Sequence, residues 1–261
     1  MTAVALLAVN GLAVHFGGLT AIEDLSLEVR EGEVLALIGP NGAGKTSAFN
    51  AITGYLAPSG GEIVFGGVRL NGLKPHRIAE LGLVRTFQKT SVFGGRSALE
   101  NILIGLHLRS TQQPLAIILG LPSVAREEKR LAAEAREILA FVGLGRRAND
   151  AGGALPYGEQ RLLEIAVALA AKPKLLLLDE PVSGMNPVET ASFMAKLAEI
   201  RALGITVLLV EHDMKMVMGV SDRIVCLSQG RVIARGTPAE IQRDPEVIRA
   251  YLGERYARAH G

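Results

Sequence analysis

The chain has 261 residues, 49% of them apolar, with one cysteine, no tryptophan and a formal net charge of +2. That length holds one large domain or two small ones with a sizeable core. The near-neutral balance gives no broad field for nucleic acid, and the lone thiol, Cys226, excludes a disulfide framework and any multi-cysteine metal site. Mean hydropathy is +0.29, which suits a parallel sheet covered on both faces, or a surface that docks on something apolar. The strongest apolar runs, 115–119 and 175–178, are too short to span a membrane. Met1–Val9 lacks a basic start and a cleavage pattern and reads as a first strand.

Residues 4 to 35 alternate or run apolar between Gly17-Gly18 and Glu31-Gly32, and predict strands over 6–9, 12–16 and 25–29. Val34–Ile38 is a continuous apolar strand, followed by a glycine-rich loop and a helix to Ile52. A hairpin turns about Gly66-Gly67, a short helix covers 75–81, and a strand follows over 83–87. From about 89 to 155 the pattern becomes helical. Ala98–Leu108 is one helix, and 110–123 is apolar and interrupted by proline. Arg126–Val142 is amphipathic, with Leu131, Ala135, Ile138, Leu139 and Val142 on one face. Then α/β alternation resumes. Helices are expected over 159–170, 188–203 and 215–220, and strands over 174–179, 205–210, 223–227 and 232–234. Two C-terminal helices follow, 237–243 and 245–258. Thr237-Pro-Ala-Glu240 supplies a threonine cap, proline at the first helical position and glutamate at the third. Cys226, inside an apolar strand, reads as a buried inert thiol.

Two stretches carry chemistry. Gly39, Pro40, Asn41, Gly42, Ala43, Gly44, Lys45, Thr46 and Ser47 lie between the strand and the helix, which is the setting of a phosphate-binding P-loop. The glycines let backbone N–H groups converge on an anion, and the helix N-terminus adds partial positive charge. Lys45 can reach the β- and γ-phosphates of a nucleoside triphosphate, and Thr46 offers its hydroxyl to Mg²⁺. In the second stretch, Leu175–Leu178 runs into Asp179-Glu180-Pro181. A buried strand thus ends in two carboxylates at the edge where parallel sheets bind ligands. Asp179 is a candidate Mg²⁺ ligand and Glu180 a candidate base for the attacking water.

With these in place the chain resembles, over nearly its whole length, the ATP-binding subunit of an ABC transporter. The resemblance implies an α/β P-loop NTPase fold, a RecA-like parallel core with an antiparallel β subdomain and an inserted helical subdomain. Its boundaries would be 1–88 and 156–235 for the core with its N-terminal β subdomain, 89–155 for the helical insertion and 236–261 for C-terminal helices, one ATPase domain overall. Phe16 stands where the family stacks an aromatic on adenine. Gln88 stands where it places a glutamine near Mg²⁺ and the attacking water, and His212 where a histidine contacts the γ-phosphate. Pro156, Tyr157, Gly158 and Glu159 hold the place of the signature motif, which binds ATP held by a partner subunit. Pro156 replaces the usual serine and Tyr157 the first glycine. Ser183 and Asn186 hold the D-loop, with Asn186 in place of aspartate.

Those departures, with the stretches His212–Asp222 and Tyr251–Glu254 and the apolar extension of 110–123, resemble the subfamily that serves branched-chain amino-acid importers. The resemblance implies ATP and Mg²⁺, transmembrane permease partners and a second ABC ATPase (a paralogue, or a second copy of this chain). It also implies an indirect link to a solute-binding protein, no nucleic acid, and a peripheral place on the cytoplasmic face of the cell membrane. The open alternatives are a related exporter ATPase of the lipopolysaccharide type and a weakly hydrolysing regulatory subunit. A P-loop kinase or GTPase leaves Gln88, 155–160 and His212 unexplained, and a chromosome-type ATPase needs a long coiled coil that is absent.

Overall fold

The computed structural model describes residues 5–86, 92–107 and 122–251. They fall into two compact units, one drawn from Met1–Arg85 and Lys174–Gly261, the other from Thr86–Pro173.

The first unit is built on a ten-stranded sheet. Its strands are β1 (Ala5–Phe16), β2 (Leu19–Arg30), β3 (Val34–Ile38), β4 (Gly60–Phe65), β5 (Val68–Arg69), β6 (Leu83–Arg85), β7 (Leu175–Asp179), β8 (Thr206–Val210), β9 (Arg223–Ser228) and β10 (Arg231–Gly236). They lie in the order β5-β4-β1-β2-β10-β9-β3-β8-β7-β6. The segment β9-β3-β8-β7-β6 is parallel, and β1, β2, β4 and β5 pair antiparallel. Every residue of β3, β7 and β8 is buried, as continuous apolar runs require when helices cover both faces of a parallel sheet. Leu35, Leu37, Leu177 and Leu208 have no exposure, and burial of each side chain contributes roughly 2 kcal/mol. The two apolar runs at 6–9 and 12–16 are one strand. The chain passes Gly11 at φ +57° with a register shift between Val9 and Leu12, a bulge that bends the strand without ending it. Cys226 is fully buried in β9, and burial pushes its thiol up to about 12.

Helices α1 (Lys45–Ile52) and α2 (Pro75–Glu80) belong to this unit. In the second unit, α3 (Ala98–His107), α4 (Pro122–Phe141) and α5 (Tyr157–Ala170) pack on one another. Ile102, Leu106, Leu131, Ala135, Leu139 and Leu163 are buried there. The expected face of α4 is confirmed at Leu131, Ala135, Leu139 and Val142, with Ile138 half-buried. Packing of α3 on α5 is close: a Cβ on Gly105 of α3 would stand 2.9 Å from the Val167 carbonyl oxygen of α5. Back in the first unit, α6 (Pro187–Ala202), α7 (Met214–Val220) and α8 (Pro238–Arg243) complete the set, and residues 245–251 are helical. Thr237 and Glu240 form the predicted capping box of α8. No helix among the described residues is long and apolar enough to cross a membrane.

Candidate functional site

Three parallel strands end side by side. Leu37 of β3 pairs with Val210 of β8, and Val210 pairs with Asp179 of β7. The loop after β3, the carboxylates after β7 and the histidine after β8 therefore leave one edge of the sheet together. Loops at the carboxyl ends of parallel strands are where such sheets bind ligands.

The β3 loop enters α1 through Gly44, which caps the helix at φ +106°. A Cβ there would lie 2.5 Å from the Ala21 carbonyl oxygen, so only glycine fits. Asn41, Gly42 and Thr46 are exposed, Pro40 and Ser47 half-buried, and Gly39 and Ala43 buried. Space is open around Gly42, so its backbone is accessible to a ligand. The first turn of α1 carries no acid, leaving its positive end free of a competing carboxylate. Lys45 is buried and its Nζ donates to the carbonyls of Gly39, at 2.5 Å, and Pro40, at 2.9 Å. The ammonium is thus held over the loop whose N–H groups would meet a phosphate. Phe16 ends β1 at the tip of a hairpin and is 48% exposed, so its ring is available to stack.

Asp179 ends β7 and is buried, with Oδ2 accepting from Arg85 Nη2 at 2.7 Å. Arg85 also donates to Asn50 Oδ1 on α1 at 2.7 Å and lies over the Phe49 ring at 5.5 Å. One guanidinium therefore ties the acidic strand end to the helix of the P-loop. Glu180 follows at φ +47°, a left-handed conformation that costs a non-glycine residue about 1–2 kcal/mol. Its N–H donates to the Val210 carbonyl at 2.9 Å. That bond extends the β7–β8 ladder one residue past the strand and holds the unusual φ. His212 is exposed, with Nδ1 3.9 Å from Glu180 Oε1 and 3.6 Å from Glu211 Oε2.

Among the described residues no cluster of three His, Cys, Asp or Glu could hold a metal alone. Mg²⁺ is commonly bound through one or two protein groups plus substrate phosphates; Thr46, in the first turn of α1, and Asp179, at the end of β7, are the oxygen-bearing side chains that could serve in that way. Gln88 lies outside the described residues, as does nearly all of the apolar stretch 110–123.

The turn after Glu180 leads to α6. Ser183 is half-buried in that turn, and its N–H donates to the Glu180 carbonyl at 3.2 Å. Asn186 is the N-cap: its Oδ1 accepts from Val188 and Glu189 N–H groups at 2.9 and 3.0 Å, and Glu189 returns a bond to Asn186 N. The asparagine thus has a folding role that the sequence did not reveal.

In the second unit, Pro156 caps α5 without a side-chain bond. Exposed Tyr157 turns its hydroxyl to Arg161, which donates to it at 2.8 and 3.1 Å and lies 5.2 Å from its ring centre. Arg161 is buried and paired with Glu164 at 2.9 Å. Burial opposes the arginine charge, but the bond and charge of Glu164 together with Tyr157 outweigh it, so the pKa of Arg161 stands above its ordinary value. Gly158 is buried, and Glu159 pairs with Arg147 at 3.2 Å.

Sequence reasoning missed Arg85 and Glu211. Arg85 closes an apolar strand and Glu211 directly follows one, next to His212, and those positions were the available signal.

Residues 22–183 match a family model described as ABC transporter, and residues 231–257 match one described as branched-chain amino acid ATP-binding cassette transporter. The high-affinity branched-chain amino acid transport ATP-binding protein LivG of Salmonella typhimurium is 46% identical, over 95% of this chain and 98% of its own length. The protein of the same description from Pseudomonas aeruginosa, BraF, is 45% identical over the same shares. Among solved structures, an ATP-binding cassette of an ABC transporter in its ADP conformation superposes with a TM-score of 0.84 at 31% identity, covering 96% of this chain and 99% of that one.

Proposed function

The chain belongs to the ABC transporter family of ATP-binding subunits, and from that premise we propose that its ATPase activity drives import of branched-chain amino acids or related small solutes. The P-loop NTPase fold and the ATPase class come with the family. The importer reading is supported by the two relatives named above and by the C-terminal match, and these favour it over a lipopolysaccharide-type exporter.

In this reading the N–H groups of 39–47 and the Lys45 ammonium hold the phosphates of ATP, and Phe16 stacks on its base. Thr46 and Asp179, with Gln88, hold Mg²⁺, which supplies charge neutralisation on the β- and γ-phosphate oxygens. Glu180 accepts a proton from the attacking water, and His212 donates a hydrogen bond to the γ-phosphate. A second ABC ATPase, a paralogue or another copy, lays its signature helix on this nucleotide, while Pro156, Tyr157, Gly158 and Glu159 face the partner's ATP. Ser183 and Asn186 lie in the turn that meets the partner. Closure is a ligand-driven population shift, passed to membrane permeases on the cytoplasmic face of the membrane. A solute-binding protein is the indirect partner.

The observation that carries the reading is the shared edge of β3, β8 and β7, where Leu37, Val210 and Asp179 lie in one row. Intact Lys45, Asp179, Glu180 and His212 favour a hydrolysing subunit over a regulatory one. Glu180→Gln keeps ATP affinity and lowers turnover by about 10²–10⁴-fold, read by equilibrium binding and phosphate release. Hydrolysis at the wild-type rate would remove Glu180 from the role of base. Copurified permeases in vesicles, assayed for ATP-dependent leucine uptake with the solute-binding protein, test the cargo.

A further inference from the structure

Glu211 is the first residue past β8, and the chemistry above assigns it nothing. It is 1% exposed, a rare place for an acid unless bonds satisfy it. Three backbone donors converge on it from two separate stretches. Val182 N–H donates to Oε1 at 3.0 Å, and the N–H groups of His212 and Asp213 donate to Oε2 at 2.8 and 3.2 Å. Val182 lies two residues after Glu180, in the turn that leads to α6; His212 and Asp213 belong to the loop after β8.

Strand pairing holds these stretches only so far. The last ladder bond joins Glu180 N–H to the Val210 carbonyl. One residue on, the Glu211 carboxyl is what joins the two stretches. A core residue with no further role would not require an acid, because an apolar side chain fills space without desolvating a charge. The two oxygens are instead divided between the two stretches. We infer that Glu211 is a positioning residue: it fastens the turn carrying Glu180 to the loop carrying His212, so that the two hydrolytic groups are held as one body. The 3.9 Å separation of His212 Nδ1 from Glu180 Oε1 is the geometry it maintains.

The inference rests on the assignment of Glu180 and His212 to hydrolysis, and substitutions separate the two. Glutamine is the same size but has one acceptor oxygen; its NH₂ must face either Val182 N–H or the His212–Asp213 pair, so one side of the fastening is lost. Aspartate keeps both oxygens but is shorter, and lets go of Val182. In the full-length chain, Glu211→Gln lowers kcat for ATP about 10–100-fold, the scale expected for misplaced reacting groups, and leaves ATP affinity within about twofold because the P-loop is untouched. Amide exchange quickens at 180–183 and 211–213. Glu211→Gln combined with His212→Ala falls well short of the product of the two single losses, as residues acting as one unit do. Glu211→Asp gives an intermediate kcat, and is judged by the same criteria if the glutamine variant fails to fold.

Wild-type kcat in Glu211→Gln, while Glu180→Gln and His212→Ala are crippled, overturns the inference alone. So does a loss confined to thermal stability with turnover per folded molecule unchanged, or a double variant showing the full product. Wild-type turnover in both Glu180→Gln and His212→Ala overturns the assignment of the site itself, and the inference with it.

Discussion

Gly39 and Gly42 belong to the same loop but answer to different constraints. A Cβ on Gly39 would stand 2.0 Å from the Leu227 carbonyl oxygen of β9, and neither backbone can yield without disturbing the pairing of Ile38 with Cys226. Gly42 sits at φ +78° in open space. Gly39→Ala is expected to lower folding stability by about 3 kcal/mol, the upper range for overpacking. Gly42→Ala should lower it by about 1 kcal/mol, the conformational cost alone. Denaturant midpoints decide between them; equal losses would mean that the turn, and not the approach of β9, dictates Gly39. The P-loop glycines were legible in the sequence as a pattern. Their individual reasons were not, because the neighbour that crowds Gly39 lies nearly two hundred residues away. Separation along the chain hid Arg85 and Glu211 as well. Arg85 reaches Asp179 at the end of another strand and Glu211 reaches Val182 in the turn after it, and no local periodicity records such a partner.

Elements were legible wherever local chemistry decides them. The capping box at Thr237 and the buried runs of β3, β7 and β8 are written in adjacent residues. The continuity of β1 was hidden, since Gly11 reads as a break and serves as a bulge. The packing of α5 on α3 was hidden as well, because it depends on the tertiary closeness of Gly105 and Val167. Asn186 shows how an element can accommodate a departure from a motif. Its side chain caps α6, with Pro187 at the first helical position and Glu189 closing the box. Asparagine and aspartate cap almost equally well. Asn186→Asp should therefore change stability by less than about 0.5 kcal/mol, and Asn186→Ala should lower it by about 1 kcal/mol. Urea unfolding of the three chains is the measurement. An alanine variant as stable as the parent would show that Pro187 sets the helix start without help from the cap.

For the whole molecule, the proposed mechanism builds half of each nucleotide site within one chain. The P-loop half is complete and accessible in the first unit, while the signature half in the second unit begins with Pro156, which offers neither a hydroxyl nor an N–H. Moving an open–closed equilibrium from 1:99 to 99:1 takes about 5.5 kcal/mol of differential binding, so one missing hydrogen bond to a charged phosphate, worth about 1.5–3 kcal/mol, changes the balance appreciably. In a Glu180→Gln background, where ATP persists, Pro156→Ser should lower the ATP concentration at half-maximal dimerisation by about tenfold, as sedimentation velocity would show. ADP should leave both chains monomeric. Pro156 holds the N-cap position without a side-chain bond, so serine there should also stabilise the helix by up to about 1 kcal/mol, a gain that thermal unfolding in the absence of nucleotide reads separately from dimerisation. An unchanged midpoint with Pro156→Ser would mean that residue 156 makes no contact with the partner's nucleotide, and the lost donor would then have no bearing on closure. A lowered midpoint seen only when the paralogue is mixed in would assign the working complex to a heterodimer, with the weaker of its two nucleotide sites at the one that this chain's signature helix completes.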